Sequence, residues 1–135
     1  MNIEKITPKL VVEGAGAAIR YYGETFGAVL RQRHEADGRV VFAELGLPCG
    51  AVFELKDADE FDQDPLRLGG RGLLLTVVAD NPDALAQRMV DAGGSLVFEV
   101  ADRSYGARQG RVRDPFGHEW IIGTPIPPAP GAASL

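Results

Sequence analysis

The chain has 135 residues and a mass of 14.4 kDa, room for one ordinary domain or for two small motifs. Hydrophobic residues at 45% and charged residues at 24% exclude a disordered or fibrous chain, and no apolar run approaches the ~20 residues of a membrane span. A net charge of −5 argues against a nucleic-acid binder, and one cysteine, Cys49, with two histidines, His34 and His118, makes a disulfide or a Cys/His-rich metal centre a poor fit. The opening MNIEKITPK has no apolar signal segment, so a cytoplasmic protein with neither membrane nor nucleic-acid partners is expected.

In chain order, Ile6 to Val12 is apolar and rich in β-branched residues, which predicts a strand. Ala15, Ile19, Tyr22 and Phe26 then recur at helical spacing, and Gly27 stands where a left-handed residue ends a helix. Strands are expected at Ala28–Gln32, Val40–Leu45 and Ala51–Leu55, with turns at Asp37-Gly38 and Cys49-Gly50. Leu73–Val78 is again a strand. Asn81 is a suitable N-cap, Pro82 suits the first helical position, and Leu85, Met89 and Ala92 form an apolar stripe ending at Gly93-Gly94. Strands follow at Ser95–Val100, Gln109–Arg113 and Glu119–Gly123.

The two halves repeat. An offset of 66 positions lays Val11-Val12 on Val77-Val78, Ala18-Ile19 on Ala84-Leu85, Gly27 on Gly93 and Leu30 on Leu96. The expected class is therefore α+β, two tandem βαβββ modules at 5–56 and 71–124. Between them, residues 57–70 form an acidic linker, read as solvated and held extended by its like charges rather than as a cation site. A proline-rich tail, 125–135, follows, with polyproline-like character.

Ile6-Thr7-Pro8-Lys9-Leu10-Val11-Val12, the Ala18 to Tyr22 helix with Phe26-Gly27, and the ending Asp114-Pro115-Phe116-Gly117-His118-Glu119-Trp120 together resemble the vicinal oxygen chelate superfamily. This group contains glyoxalase I, bleomycin-resistance proteins and extradiol dioxygenases, and the ending is similar to its PhnB-like branch. The resemblance implies modules with curled mixed sheets enclosing a cleft, within a homodimer. The Asp-Pro-Phe-Gly segment also has its own rationale as a turn, with Gly117 at positive φ.

Catalytic members of that superfamily hold a divalent metal with four side chains. Carried over, those positions are Thr7, Glu54, Leu74 (or Leu73) and Ile121, of which Glu54 alone is an ordinary ligand. The implied metal site is read as lost, and no cofactor is expected. Strand alternation puts Lys9, Thr76 and Glu119 on the face of Thr7 and Ile121, and turns Leu10, Val12, Trp120 and Ile122 toward the helices. The candidate ligand-binding set is thus Thr7, Lys9, Glu54, Leu74, Thr76, Tyr105, Glu119 and Ile121, with Lys9, Glu54 and Glu119 as a charged group that pairs or is solvated. Arg103, Arg108, Arg111 and Arg113 crowd around Tyr105, which suits either a bound anion or, the preferred reading, salt bridges to the acidic linker. The function expected is a metal-free protein that sequesters an aromatic or planar small molecule. The alternative is a metal-dependent lyase or dioxygenase using Glu54 and Glu119; a scaffold without a small ligand is a third reading.

Overall fold

The computed structural model of the chain describes residues 1–70 and 72–126, so most of the proline-rich tail lies outside the described residues. Two compact units result among the described residues: Met1–Gly72 with Phe116–His118, and Leu73–Pro115 with residues 119–126.

The first unit runs β1 (Lys9–Val12), α1 (Ala15–Phe26), β2 (Val29–Ala36), β3 (Arg39–Gly46), β4 (Val52–Asp57) and a one-turn helix α2 (Pro65–Leu68). Its sheet has the order β1-β4-β3-β2, with β1 parallel to β4 and the other pairs antiparallel. The first strand is shorter than its composition suggests: Ile6 is 88% exposed, and pairing begins only at Lys9. Conversely β2 runs on to Ala36, because Asp37 and Gly38, both at positive φ, make the two-residue turn that keeps it paired with β3. Helix α1 lays Ala15, Ala18 and Tyr22 into the core against Leu10, Val12, Leu45 and Leu55, all 2% exposed or less. Burying side chains of this size stabilises by about 1.5–3 kcal/mol each. Tyr22 meets Phe53 edge-on at 5.2 Å and stacks on Phe26 at 5.5 Å, and Gly27 ends the helix at φ 70° as expected.

The second unit repeats the order: β5 (Leu74–Val78), α3 (Pro82–Asp91), β6 (Ser95–Arg103), β7 (Ala107–Arg113) and β8 (Glu119–Pro125), in a sheet ordered β5-β8-β7-β6. The Asn81 side chain accepts from Ala84 N at 3.1 Å, the cap expected of it. Met89 of α3 and Val112 and Ile122 of the sheet are fully buried, and Trp120, 5% exposed, donates its indole N–H to Asp114 at 2.8 Å. The helix-facing assignment of Leu10, Val12, Trp120 and Ile122 is therefore correct.

The repeat needs one correction. In β1, β3 and β4 and at the helix starts the offset is 67, not 66: Lys9 pairs with Glu54 as Thr76 pairs with Ile121, and the caps Gly14 and Asn81 stand the same distance apart, while β2 keeps 66, Gln32 pairing with Glu44 as Phe98 pairs with Arg111. An offset of 66 would place outward Val11 on helix-facing Val77. The extra residue is absorbed by the end of the helix, so Gly27 still matches Gly93. The offset of 67 also settles the register left open above, since it carries Thr7 to Leu74 and not to Leu73.

The acidic linker is not simply extended. Lys56 Nζ sits 2.8 Å from Asp59 and 2.5 Å from Asp62, and Asp59 also accepts from the backbone N–H groups of Phe61 and Asp62. The Lys56 hydrogen bond, first among these, holds the Asp59 carboxyl down to about 2. Two of the linker's carboxylates, Asp59 and Asp62, thus share the ammonium of Lys56, and Pro65 then starts α2.

Candidate functional site

In the second unit, one row of side chains crosses all four strands: Thr76 on β5 pairs with Ile121 on β8, Ile121 with Arg111 on β7, and Arg111 with Phe98 on β6. Parity puts this row on the face away from α3. Arg108, Gly110 and Val112 share the opposite face, and Arg108 reaches Asp83 in the first turn of α3 with bonds of 2.8 and 2.7 Å. The equivalent row in the first unit is Lys9, Glu54, Glu44 and Gln32. Lys9 Nζ lies 3.5 Å from Glu54 and 5.2 Å from the centre of the Phe42 ring.

A cavity of about 340 Å³ opens on the helix-free face of the second sheet, walled by Phe98, Arg103, Tyr105, Gln109, Arg111 and Ile121. Gly123 on β8 leaves room for the Gln109 side chain, because a Cβ there would stand 2.5 Å from Gln109 Cγ. Gln109 instead lies across that strand and accepts from the Tyr105 hydroxyl at 2.7 Å, while its backbone carbonyl accepts from Arg103 Nε at 3.1 Å. Tyr105 and Ile121 of the expected set are thus brought to one cavity, and Thr76 continues the Ile121 row. Leu74 pairs with Glu119 one step along the same face. Thr7 is half-buried just ahead of β1, where Pro8 accepts from Glu54 N at 2.8 Å.

Glu119 is buried, with Arg113 at 3.0 Å and Arg111 at 3.5 Å. The arginine cluster is accounted for in part by pairing, but with other partners than the linker: Arg108 binds Asp83 and Asp102, and Arg113 binds Glu119. Arg103 donates to backbone carbonyls of Glu99 and Gln109. Sequence reasoning missed Phe98, Gln109 and Glu44, whose signal was their position one rung away from candidates already named. A second cavity, about 710 Å³ and lined by Glu13, Arg39, Asp57, Asp59, Glu60 and Arg67 among others, belongs to the first unit. Its carboxylates are largely committed to structure, as Asp57 accepts from Ala15 N and Val40 N at 2.7 and 2.8 Å.

Residues 3–122 match the Glyoxalase/Bleomycin resistance protein/Dioxygenase superfamily. The chain belongs to that superfamily. It is 33% identical over 132 residues to an uncharacterized protein of Mycobacterium bovis, covering 93% of this chain and 87% of that one. Among solved structures it is similar to a gene product of Arabidopsis thaliana (26% identity, TM-score 0.70, 89% of this chain and 98% of the other). A glyoxalase family protein from Bacillus cereus superposes with a TM-score of 0.76 at 18% identity, covering 94% and 97%, a likeness of fold alone. No described helix is long and apolar enough to cross a membrane.

Membership poses the question of the superfamily metal. At the four positions carried over from the resemblance, Thr7, Glu54, Leu74 and Ile121, stand a threonine, a glutamate and two aliphatics, and the glutamate already has Lys9 beside it. Leucine and isoleucine offer no lone pair, so this set does not fit a divalent ion, which takes several oxygen or nitrogen donors. Glu119 as a substitute donor faces two guanidinium groups, whose charge disfavours a cation beside it. Among the described residues no group of three or more His, Cys, Asp and Glu side chains is placed to hold an ion.

Proposed function

We propose that this superfamily member is a metal-independent binding protein of the bleomycin-resistance kind, from the PhnB-like branch, that sequesters an aromatic or planar organic molecule as a cytoplasmic homodimer. What supports this reading is the superfamily fold together with the side chains at Thr7, Glu54, Leu74 and Ile121, the positions carried over from the resemblance, two of which are aliphatic and offer a metal no donor. A cavity of about 340 Å³ with aromatic, aliphatic and a few polar walls is of the size and character that suits a mid-sized ligand.

The test is a thermal-shift screen of aromatic antibiotics and related metabolites, run with and without chelator. A ligand at 100 times its dissociation constant should stabilise the fold by about 2.7 kcal/mol, equally in both arms and with no product after long incubation. Elemental analysis after exposure to zinc, nickel, manganese and iron should find no stoichiometric metal retained through gel filtration. Metal-dependent consumption of the methylglyoxal–glutathione hemithioacetal, or of a catechol, would overturn the proposal in favour of an enzyme.

A further inference from the structure

Arg111 stands at the centre of the cavity row with its charge incompletely answered. Its side chain is 20% exposed, its Nε is fully buried with no hydrogen-bond partner, and its ion pair to Glu119 is long, at 3.5 Å. Glu119 is engaged more closely by Arg113, at 3.0 Å. The Arg111 guanidinium lies 5.4 Å from the centre of the Phe98 ring, which orients it without satisfying its N–H groups. Arg111 lines the cavity, so a ligand that brings an anionic acceptor gains a charge-assisted bond from the guanidinium. The charge balance agrees: two arginines and no carboxylate line the cavity of a chain whose net charge is −5. The aromatic walls, Phe98 and Tyr105, are 57% and 68% exposed and flank the cations.

We infer that this cavity takes an aromatic carboxylate, its oxygens received by Arg111 and its ring laid against Phe98 and Tyr105. The inference rests on the ligand-binding reading above and adds the ligand's charge and its seat within the second unit. A planar guanidinium matches a carboxylate through paired, charge-assisted N–H bonds, whereas a neutral amide of the same shape offers a single uncharged acceptor. Gln109, whose Oε1 accepts from Tyr105, lines the same cavity and carries an amide N–H₂ donor.

The experiment titrates the full chain calorimetrically with 2-naphthoate and with 2-naphthamide, a neutral probe of nearly equal shape. The acid should bind about tenfold or more tightly than the amide, and added salt should weaken the acid alone. Arg111→Gln should bring the acid to the amide's affinity, Arg111→Lys should retain part of the difference, and Phe98→Ala should weaken both probes. Circular dichroism and melting of each variant check its fold, and the acid–amide comparison on the unaltered chain needs no variant. Equal binding of acid and amide, or an Arg111→Gln chain that binds the acid as tightly as the parent, would overturn the inference while leaving sequestration standing. Failure of both probes at millimolar concentration overturns it too, because sequestration is read separately by the screen and the turnover assays.

Discussion

Asp57 shows how much one side chain does in the first unit. Gly14 precedes α1 in a left-handed conformation and offers no side-chain cap, so the helix start is completed from a distant strand: Asp57 Oδ1 accepts from Ala15 N, and Oδ2 accepts from Val40 N on β3. One carboxylate thereby ties a helix to two strands. Asp57→Ala leaves both N–H groups without their partner and should cost about 2–4 kcal/mol in urea unfolding, with Asp57→Asn losing less because its amide keeps one acceptor oxygen. A loss under half a kcal/mol for the alanine variant would mean that water replaces the carboxylate. The Asp57 role was not legible in the sequence, where the residue opens an acidic run and reads as one more solvated charge.

At the scale of elements, the turns were the most legible features because their backbone geometry restricts residue type. Gly117 is at φ 90°, and a Cβ there would stand 3.0 Å from Leu66 Cγ and Cδ2, whereas Gly38 is at φ 75° with nothing within 4 Å. Gly38→Ala should therefore cost about 1 kcal/mol from backbone strain alone, and Gly117→Ala about 2 kcal/mol or more because contact is added to strain. Chemical denaturation of the two variants side by side checks the order, and equal losses would refute the contact. Strand lengths were less legible: β2 reads as ending at Gln32, but all eight of its residues are exposed, and pairing with β3 rather than burial carries it to Ala36. The repeat was visible, and its offset of 66 holds for Gly27 and β2 but is one residue short for β1, β3 and β4. Side-chain identity at Val11-Val12 and Val77-Val78 favours 66, since an offset of 67 sets Val12 on Ala79, and only strand pairing distinguishes the face.

For the whole molecule, composition excludes much and the exposed apolar surface adds to it. In the first unit Val29 and Val41 are 63% and 42% exposed, and in the second Leu73, Val78 and Leu96 are each more than half exposed. Apolar surface on sheet edges and faces favours association, and a dimer of standard size would bury about 1,200–2,000 Å². Light scattering at micromolar concentration should give about twice the 14.4 kDa of one chain, and a clean monomer at every concentration would count against the homodimer.

The class of fold, the helix faces and the capping residues Gly27 and Asn81 were determined by residue type and spacing, since a period of two or 3.6 assigns faces without long-range information. The partners of the charged groups were decided only in three dimensions. Arg108 meets Asp83 across 25 positions, Arg113 meets Glu119 across a hairpin, and Arg111 is left over a phenylalanine, three outcomes for three arginines that read alike in one short segment. Electrostatic partners depend on strand register and bulges, which shift pairing between Leu96 and Phe98 and again before Ala101, and neither leaves a mark in composition or period.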